Sequence, residues 1–230
     1  MLNVALAGAS KGIGFEIFKN LISNPAINKI IAISRSEMPS LPINNESQEK
    51  YEWITCDLSS ESEINNIKIE HSLQINSLIY NAGILINKNF SDTTEKEWYA
   101  CFQNNFFGAV RLIKLLLPNL LNASVAHVVL IGSMGGFQGS KKYKGLSAYS
   151  CSKGALAILA ECLAEEFNKY NIHVNCLCLG SVNTDMFKIA FPGFKASMTA
   201  HEIGKYIADF SINGNKYFNG KIIPVSPNTP

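Results

Sequence analysis

The sequence is short of charge. Of its 230 residues 17% are Asp, Glu, Lys or Arg, the formal net charge is +2, and no stretch of Lys or Arg forms a basic run. A surface that follows a phosphate backbone needs such a run, so nucleic acid is not an expected partner. Long apolar stretches are lacking as well. The longest, Leu112 to Leu121, is broken by Lys114 and Pro118 and falls well short of the roughly 20 residues that cross a bilayer. No basic segment precedes the first apolar run, so neither a signal nor a transit peptide is expected, no membrane is expected as a partner, and a cytoplasmic location follows. Metal-ligand spacing is missing too. Cys56, Cys101, Cys151 and Cys162 stand alone, Cys176 and Cys178 lie two apart in an apolar run, and His71, His127, His173 and His201 form no pattern. No metal is expected, and all six cysteines are expected as small reduced hydrophobes in the interior. What the chain does have is apolar content, 47%, enough for a sizeable core and incompatible with disorder. One domain over residues 1–230 is expected for an α/β chain of this length.

Strand and helix patterns alternate along the chain. Apolar runs suited to strands are Leu2 to Ala7, Lys29 to Ser34, Trp53 to Cys56, Ser77 to Tyr80, Val125 to Ile131, Ile172 to Leu179 and Lys221 to Val225. Helical spacing marks Lys11 to Ile22, a weak segment from Glu61 to about Ile69, a long segment from Thr94 to about Leu121, a second long one from Tyr149 to about Tyr170, and His201 to Phe210. Thr94 and Glu97 have capping-box spacing. Pro39 to Gln48, rich in Pro, Asn and Ser, is a loop. Alternation of this kind predicts the doubly wound α/β class, a parallel sheet of about seven strands with helices on both faces.

Three clusters carry chemistry. Gly8-Ala9-Ser10-Lys11-Gly12-Ile13-Gly14 follows the first strand and opens the first helix, where a Gly-rich turn and a helix N-terminus accept a pyrophosphate. Taken alone, such a loop also suits a methyltransferase or a plain tight turn. The second strand ends Ile33-Ser34-Arg35-Ser36, without the acid that reads the ribose hydroxyls of NAD; Arg35, with Lys11 facing it, suits the 2′-phosphate of NADP. Tyr149 and Lys153, at i and i+4, share a helix face. A phenol titrates near 10, so lending its proton at neutral pH asks for stabilisation of the phenolate by about 3 units, roughly 4 kcal/mol, which a neighbouring ammonium helps to provide.

With Asn81-Ala82-Gly83 after the fourth strand, Asn105 in the long helix, Ser133 after the fifth and Gly180 to Thr184 after the sixth, the whole ordered set resembles the short-chain dehydrogenase/reductase family. The resemblance runs from Leu2 to about Val225. It implies an oxidoreductase that moves hydride between NADP(H) and a small carbonyl or alcohol substrate. Tyr149 would be the general acid/base, Lys153 would lower its pKa and hold the nicotinamide ribose, Ser133 would orient the carbonyl, and Asn105 would kink its helix and hold a proton-relay water. Asp57 and Leu58 would lie beside the adenine, Asn81, Ala82 and Gly83 beside its ribose, and Gly180, Val182 and Thr184 against the carboxamide and phosphates. A homodimer or homotetramer built on the two long helices is implied as well. The other reading of the same fold is a non-catalytic dinucleotide sensor or scaffold.

The chain departs from the family pattern in several places. Ala7 and Tyr80 replace a usual Thr and Asn, changes expected to touch supporting hydrogen bonds only, and Leu179 replaces a Pro. Ser133 precedes Tyr149 by sixteen residues, longer than usual, with the excess expected to loop out over Gln138 to Gly145. Tyr143 is the poorer acid because Ser147, not Lys, follows it by four. The stretch Asp185 to Ala200, with Phe187, Ile189, Phe191, Phe194 and Met198, is expected to be a short apolar flap for a hydrophobic substrate.

Overall fold

Short runs of Ile, Val, Leu and Ala, apolar at successive positions, have no face to give to water and so become buried parallel strands. The computed structural model describes residues 1–40 and 48–227. Its strands are β1 (Leu2–Ala7), β2 (Ile27–Ser34), β3 (Tyr51–Thr55), β4 (Ser77–Tyr80), β5 (Ala126–Ser133), β6 (Ile172–Leu179), β7 (Val182–Asn183), β8 (Met198–Thr199) and β9 (Ile222–Val225). Seven of them pair in the order β3-β2-β1-β4-β5-β6-β9, every pairing parallel. The helices are α1 (Gly12–Ile22), α2 (Glu61–Asn65), α3 (Glu95–Phe102), α4 (Gly108–Leu121), α5 (Ser147–Phe167), α6 (Asp185–Ala190) and α7 (Ala200–Asn213).

Alternate side chains of each strand serve opposite layers. On one face Ala5, Ile31, Leu78, Val128 and Cys176 pack against Leu112 and Leu116 of α4 and Leu156 and Ala160 of α5. On the other, Val4, Leu6, Ile30, Ile79 and Val129 meet Ile17 and Phe18 of α1 and Ile203 and Ile207 of α7. Removing any one of these large side chains would cost about 2–5 kcal/mol. Chain order reverses between β1 and β4, so a crevice opens at the carboxyl ends of those strands.

Most expected elements are present, with boundary shifts that have physical causes. The long segment Thr94 to Leu121 is not one α-helix. Its start is capped as expected, Thr94 Oγ1 accepting from Glu97 N at 3.3 Å and Glu97 Oε2 from Thr94 N at 2.8 Å, but α3 and α4 are joined by a π-helical turn over Gln103–Phe107. The weak helix stops at Asn65, well before Ile69, where the pair Asn65-Asn66 favours termination. Strand β5 runs on to Ser133 because Gly132 and Ser133 continue the ladder opposite Cys178 and Leu179. Helix α5 begins at Ser147 and gives way at Asn168 to a 3₁₀ turn that ends at Asn171, in the left-handed conformation. Cys56, Cys101, Cys176 and Cys178 are buried, but Cys151 and Cys162 are exposed; eleven residues, three helical turns, separate them along the outer stripe of α5. Of the loop Pro39 to Gln48, residues 41–47 lie outside the described residues. Among the described residues no helix is long and apolar enough to cross a membrane, and no group of three or more His, Cys, Asp or Glu could hold a metal ion.

Candidate active site

The Gly-rich turn leaves β1 at Gly8, whose φ of +81° is one that L side chains rarely adopt. A Cβ there would lie 2.7 Å from the backbone of Ala82, and one on Gly14 would overlap the carbonyl oxygen of Gly8. Backbone thus packs on backbone, and Asn81 seals the contact by donating from Nδ2 to Gly8 O at 2.9 Å. Ser34, buried at the end of β2, donates to Ser10 Oγ at 2.7 Å and ties the two strand ends together.

These ends border a cavity of about 830 Å³. Gly8, Ser10, Lys11, Gly12, Ile13, Ser34, Arg35, Asp57, Leu58, Asn81, Ala82, Gly83, Ser133, Tyr149, Lys153, Gly180, Val182 and Thr184 all line it. Two of the expected site residues stand behind the wall. Gly14 serves the turn by its close packing, and Asn105, wholly buried in the π-helical turn, is bonded from Nδ2 to Ile84 O at 3.0 Å and Ser152 Oγ at 2.9 Å while its Oδ1 accepts from Ile84 N at 2.8 Å. Lys11 and Arg35 are exposed on the wall, and among the described residues neither is paired with a carboxylate. Glu37 does not line the cavity. Asp57 is held in a local turn by Ser59, whose N and Oγ donate to its Oδ1 at 2.9 and 2.8 Å.

Ser133, Tyr149 and Lys153 converge although sixteen residues separate the first two, so the added length does loop out. Ser133 and Tyr149 line the same stretch of cavity wall, and the Ser133 Oγ accepts from Gly135 N at 3.1 Å. Burial pushes the Tyr149 phenol up, with the Ser133 hydroxyl opposing it, so the proton stays on oxygen at neutral pH. Lys153 is buried, donates to Ile131 O at 2.7 Å, and is pulled down to about 8 by loss of water around its ammonium. Gly83 keeps the space beside it open: a Cβ there would lie 3.3 Å from Lys153 Nζ and 3.0 Å from Asn105 Oδ1.

The far end of the cavity is aromatic. Tyr143 in the looped-out segment meets Phe191 edge-on at 5.9 Å between ring centres, Phe191 stacks with Phe187 at 5.2 Å, and Phe194 stands 6.3 Å from Phe191. All four rings line the cavity, with Leu85, Met134, Leu146 and Met186 beside them. Tyr143 is therefore a wall residue. Asn87 Nδ2 donates to Ala190 O at 2.6 Å and Lys88 N to Gly145 O at 2.9 Å, joining the flap, the looped-out segment and the chain after β4. The flap holds the short helix α6 and the two-residue strand β8, which pairs with β7 just before the flap; its apolar pattern did not signal them. Lys141, Lys195 and Ser226 also line the cavity, and no motif in the sequence pointed to them.

Comparison with known proteins places this geometry. A family model described as short chain dehydrogenase matches residues 3–193. A benzil reductase ((S)-benzoin forming) of Saccharomyces cerevisiae is 29% identical over 196 residues, 80% of this chain and 73% of the yeast protein. A short chain dehydrogenase family protein of Francisella tularensis, of known crystal structure, superposes with a TM-score of 0.84 at 26% identity, covering 98% of this chain and 97% of that one. The structure of ElxO with NADP bound has the same fold, with a TM-score of 0.80 at 21% identity over 97% of this chain and 96% of that one. A family match spanning the sheet from β1 through β6, on a fold shared nearly end to end, makes this chain a member of the short-chain dehydrogenase/reductase family of oxidoreductases.

Proposed function

We propose that the protein is an NADP(H)-dependent carbonyl reductase or alcohol dehydrogenase, with Tyr149 as the general acid/base. The observation that carries this reading is the meeting of Ser133, Tyr149 and Lys153 on the cavity that begins at the Gly-rich turn. The residues present suit a dinucleotide. The Gly-rich turn, kept tight by main-chain packing of Gly8 on Ala82 and of Gly14 on Gly8, borders the cavity with Gly8, Ser10, Gly12 and Ile13, and the wall beyond it carries two cations, Lys11 and Arg35, where a carboxylate would repel a 2′-phosphate. When bound, the nicotinamide supplies the hydride.

The chain's own residues do the rest. Ser133 donates to the carbonyl oxygen of the substrate and fixes its direction. Tyr149, kept protonated by burial, gives its phenolic proton to that oxygen as the alkoxide forms; in the reverse direction it takes the proton back. Lys153, charged below about pH 8, stabilises the resulting phenolate and donates to the ribose. Asn105 holds the helix turn behind Lys153. The aromatic wall of Tyr143, Phe187, Phe191 and Phe194 suits an apolar, ring-bearing carbonyl, and a relative named for benzil reduction supports a substrate of that kind. Self-association belongs to the same reading, since Tyr99, Phe107 and Ile158 are exposed on α3, the π-helical turn and α5; light scattering at micromolar concentration should return a dimer or tetramer, and a monomer mass would remove that part.

The test of the function is a fluorescence titration with NADPH followed by NADPH oxidation with a panel of aldehydes, ketones, quinones and acyl thioesters. Saturable binding with turnover of at least one carbonyl is the expected result. Binding with no turnover across the panel would favour a dinucleotide sensor, and no binding would remove both readings.

A further inference from the structure

Tyr80 occupies a place where its substitution was expected to change only a supporting hydrogen bond, and its actual position is more consequential. It is the last residue of β4, fully buried, and burial keeps its phenol protonated, so the hydroxyl is a donor. That hydroxyl donates to the carbonyl oxygen of Asn104 at 2.6 Å. The acceptor is significant because of the π-helical turn. In an α-helix the N–H of Gly108 would bond to Asn104 O, four residues back. Here it bonds to Gln103 O, five back, which leaves Asn104 O without its helical donor in the interior. Tyr80 replaces that donor from a different element. Gly108 makes room for it, since a Cβ on Gly108 would overlap the Tyr80 hydroxyl.

The next residue along the turn is Asn105, whose side chain is fixed to both backbone groups of Ile84 and to Ser152, one residue before Lys153. The extra residue in the turn sets the rotational phase of Asn105. Absorbing it into regular α-helix would turn α3 and α4 relative to each other by about 100° and draw Asn105 off these partners. We propose that the Tyr80 hydroxyl is a positioning group: by capping Asn104 O it holds the π-helical turn, and through it the register of Asn105 against Ser152 and Lys153. Tyr80 does not touch the reacting atoms. Its effect on turnover rests on the catalytic reading of Lys153 and Tyr149, whereas its hold on the turn stands on geometry alone.

Tyr80→Phe keeps the ring and removes the donor. Two measurements on the whole protein separate the claims. Amide hydrogen exchange should accelerate over residues 104–109 by about tenfold, the loss of one hydrogen bond to a buried carbonyl, while the amides of β1 and β5 keep their rates. Unchanged exchange over 104–109, or an equal rise throughout the sheet, would overturn the positioning role whatever the activity of the protein. With a carbonyl that the wild type reduces, kcat should fall by about tenfold, with the pH profile of kcat displaced and the NADPH dissociation constant within about twofold of wild type. A variant with wild-type kcat and pH profile would overturn the link to catalysis. A wild type that reduces nothing in the panel refutes the proposed function instead, and leaves the exchange measurement to decide on the turn.

Discussion

The two ends of the cavity are held by different forces. At the cofactor end the strand termini are locked by main-chain contacts: Gly8 N donates to Ile33 O at 2.8 Å, Asn81 N to Ala7 O at 3.0 Å and Cys56 N to Ser34 O at 2.9 Å. At the aromatic end the wall is made of rings packed edge-on or tilted against one another, with Lys141 over the face of Tyr143. Tyr143 is 51% and Phe194 73% exposed, and the segments are joined by the single bonds Asn87–Ala190 and Lys88–Gly145. Main-chain geometry admits few residue types, glycine above all, so the first end has a motif. Side-chain packing admits many apolar combinations, so the second has none. Under the proposed function, the first end carries the general chemistry and the second this chain's own selectivity.

Variants at each end sharpen or break this division. The largest effect is expected for Tyr149→Phe, which removes the transferable proton and almost no volume: turnover should drop by about a thousandfold with NADPH affinity unchanged in a fluorescence titration. Comparable turnover would take Tyr149 out of the acid role. Next comes Arg35→Asp, which should weaken NADPH by about a hundredfold and leave NADH nearly as it was; titrations with both cofactors at low and high salt check this. If the variant still prefers NADPH, the 2′-phosphate is not read at the end of β2. Phe191→Ala, central to the ring cluster, should lower kcat/KM for ring-bearing carbonyls by about tenfold and spare small aliphatic aldehydes. A loss shared equally by both classes would show that the flap acts on the catalytic end as well.

The smallest expected effect is one of pH. Burial lowers Lys153 to about 8, so its ammonium is present below that value and lost above it. If NADPH favours the charged form, its dissociation constant should rise by about fourfold between roughly pH 7 and pH 8.5. The rise should disappear in Lys153→Met, and its persistence there would assign the titration to another group.

The same division explains what was legible in the sequence. Strands stood out because β-branched runs buried on both faces look alike wherever they occur, and the Gly-rich turn because Gly8 and Gly14 have steric reasons independent of neighbours far along the chain. Thr94 and Glu97 announced a helix start because a capping box is local. The π-helical turn was not legible in the periodicity, since 3.6-residue spacing runs through it; only the family resemblance placed a kink at Asn105, and the hydroxyl that bonds Asn104 O in the turn, that of Tyr80, comes from β4. The ring cluster was legible only as apolar composition in the flap. Its partner Tyr143 sits forty-eight residues before Phe191 in the sequence, and no local pattern links the two. The exposure of Cys151 and Cys162 was missed because cysteine composition says nothing about which stripe of α5 faces outward.

The most direct test of hydride transfer at this site is a single-turnover reaction with NADPH deuterated at the transferring carbon of the nicotinamide, mixed with the wild-type protein and a ring-bearing ketone, with the alcohol analysed by mass spectrometry. Hydride transfer to a carbonyl predicts one deuterium on the carbinol carbon. Tight NADPH binding without label in any product, across the carbonyl panel, would contradict it and make the protein a dinucleotide-binding member of an enzyme family.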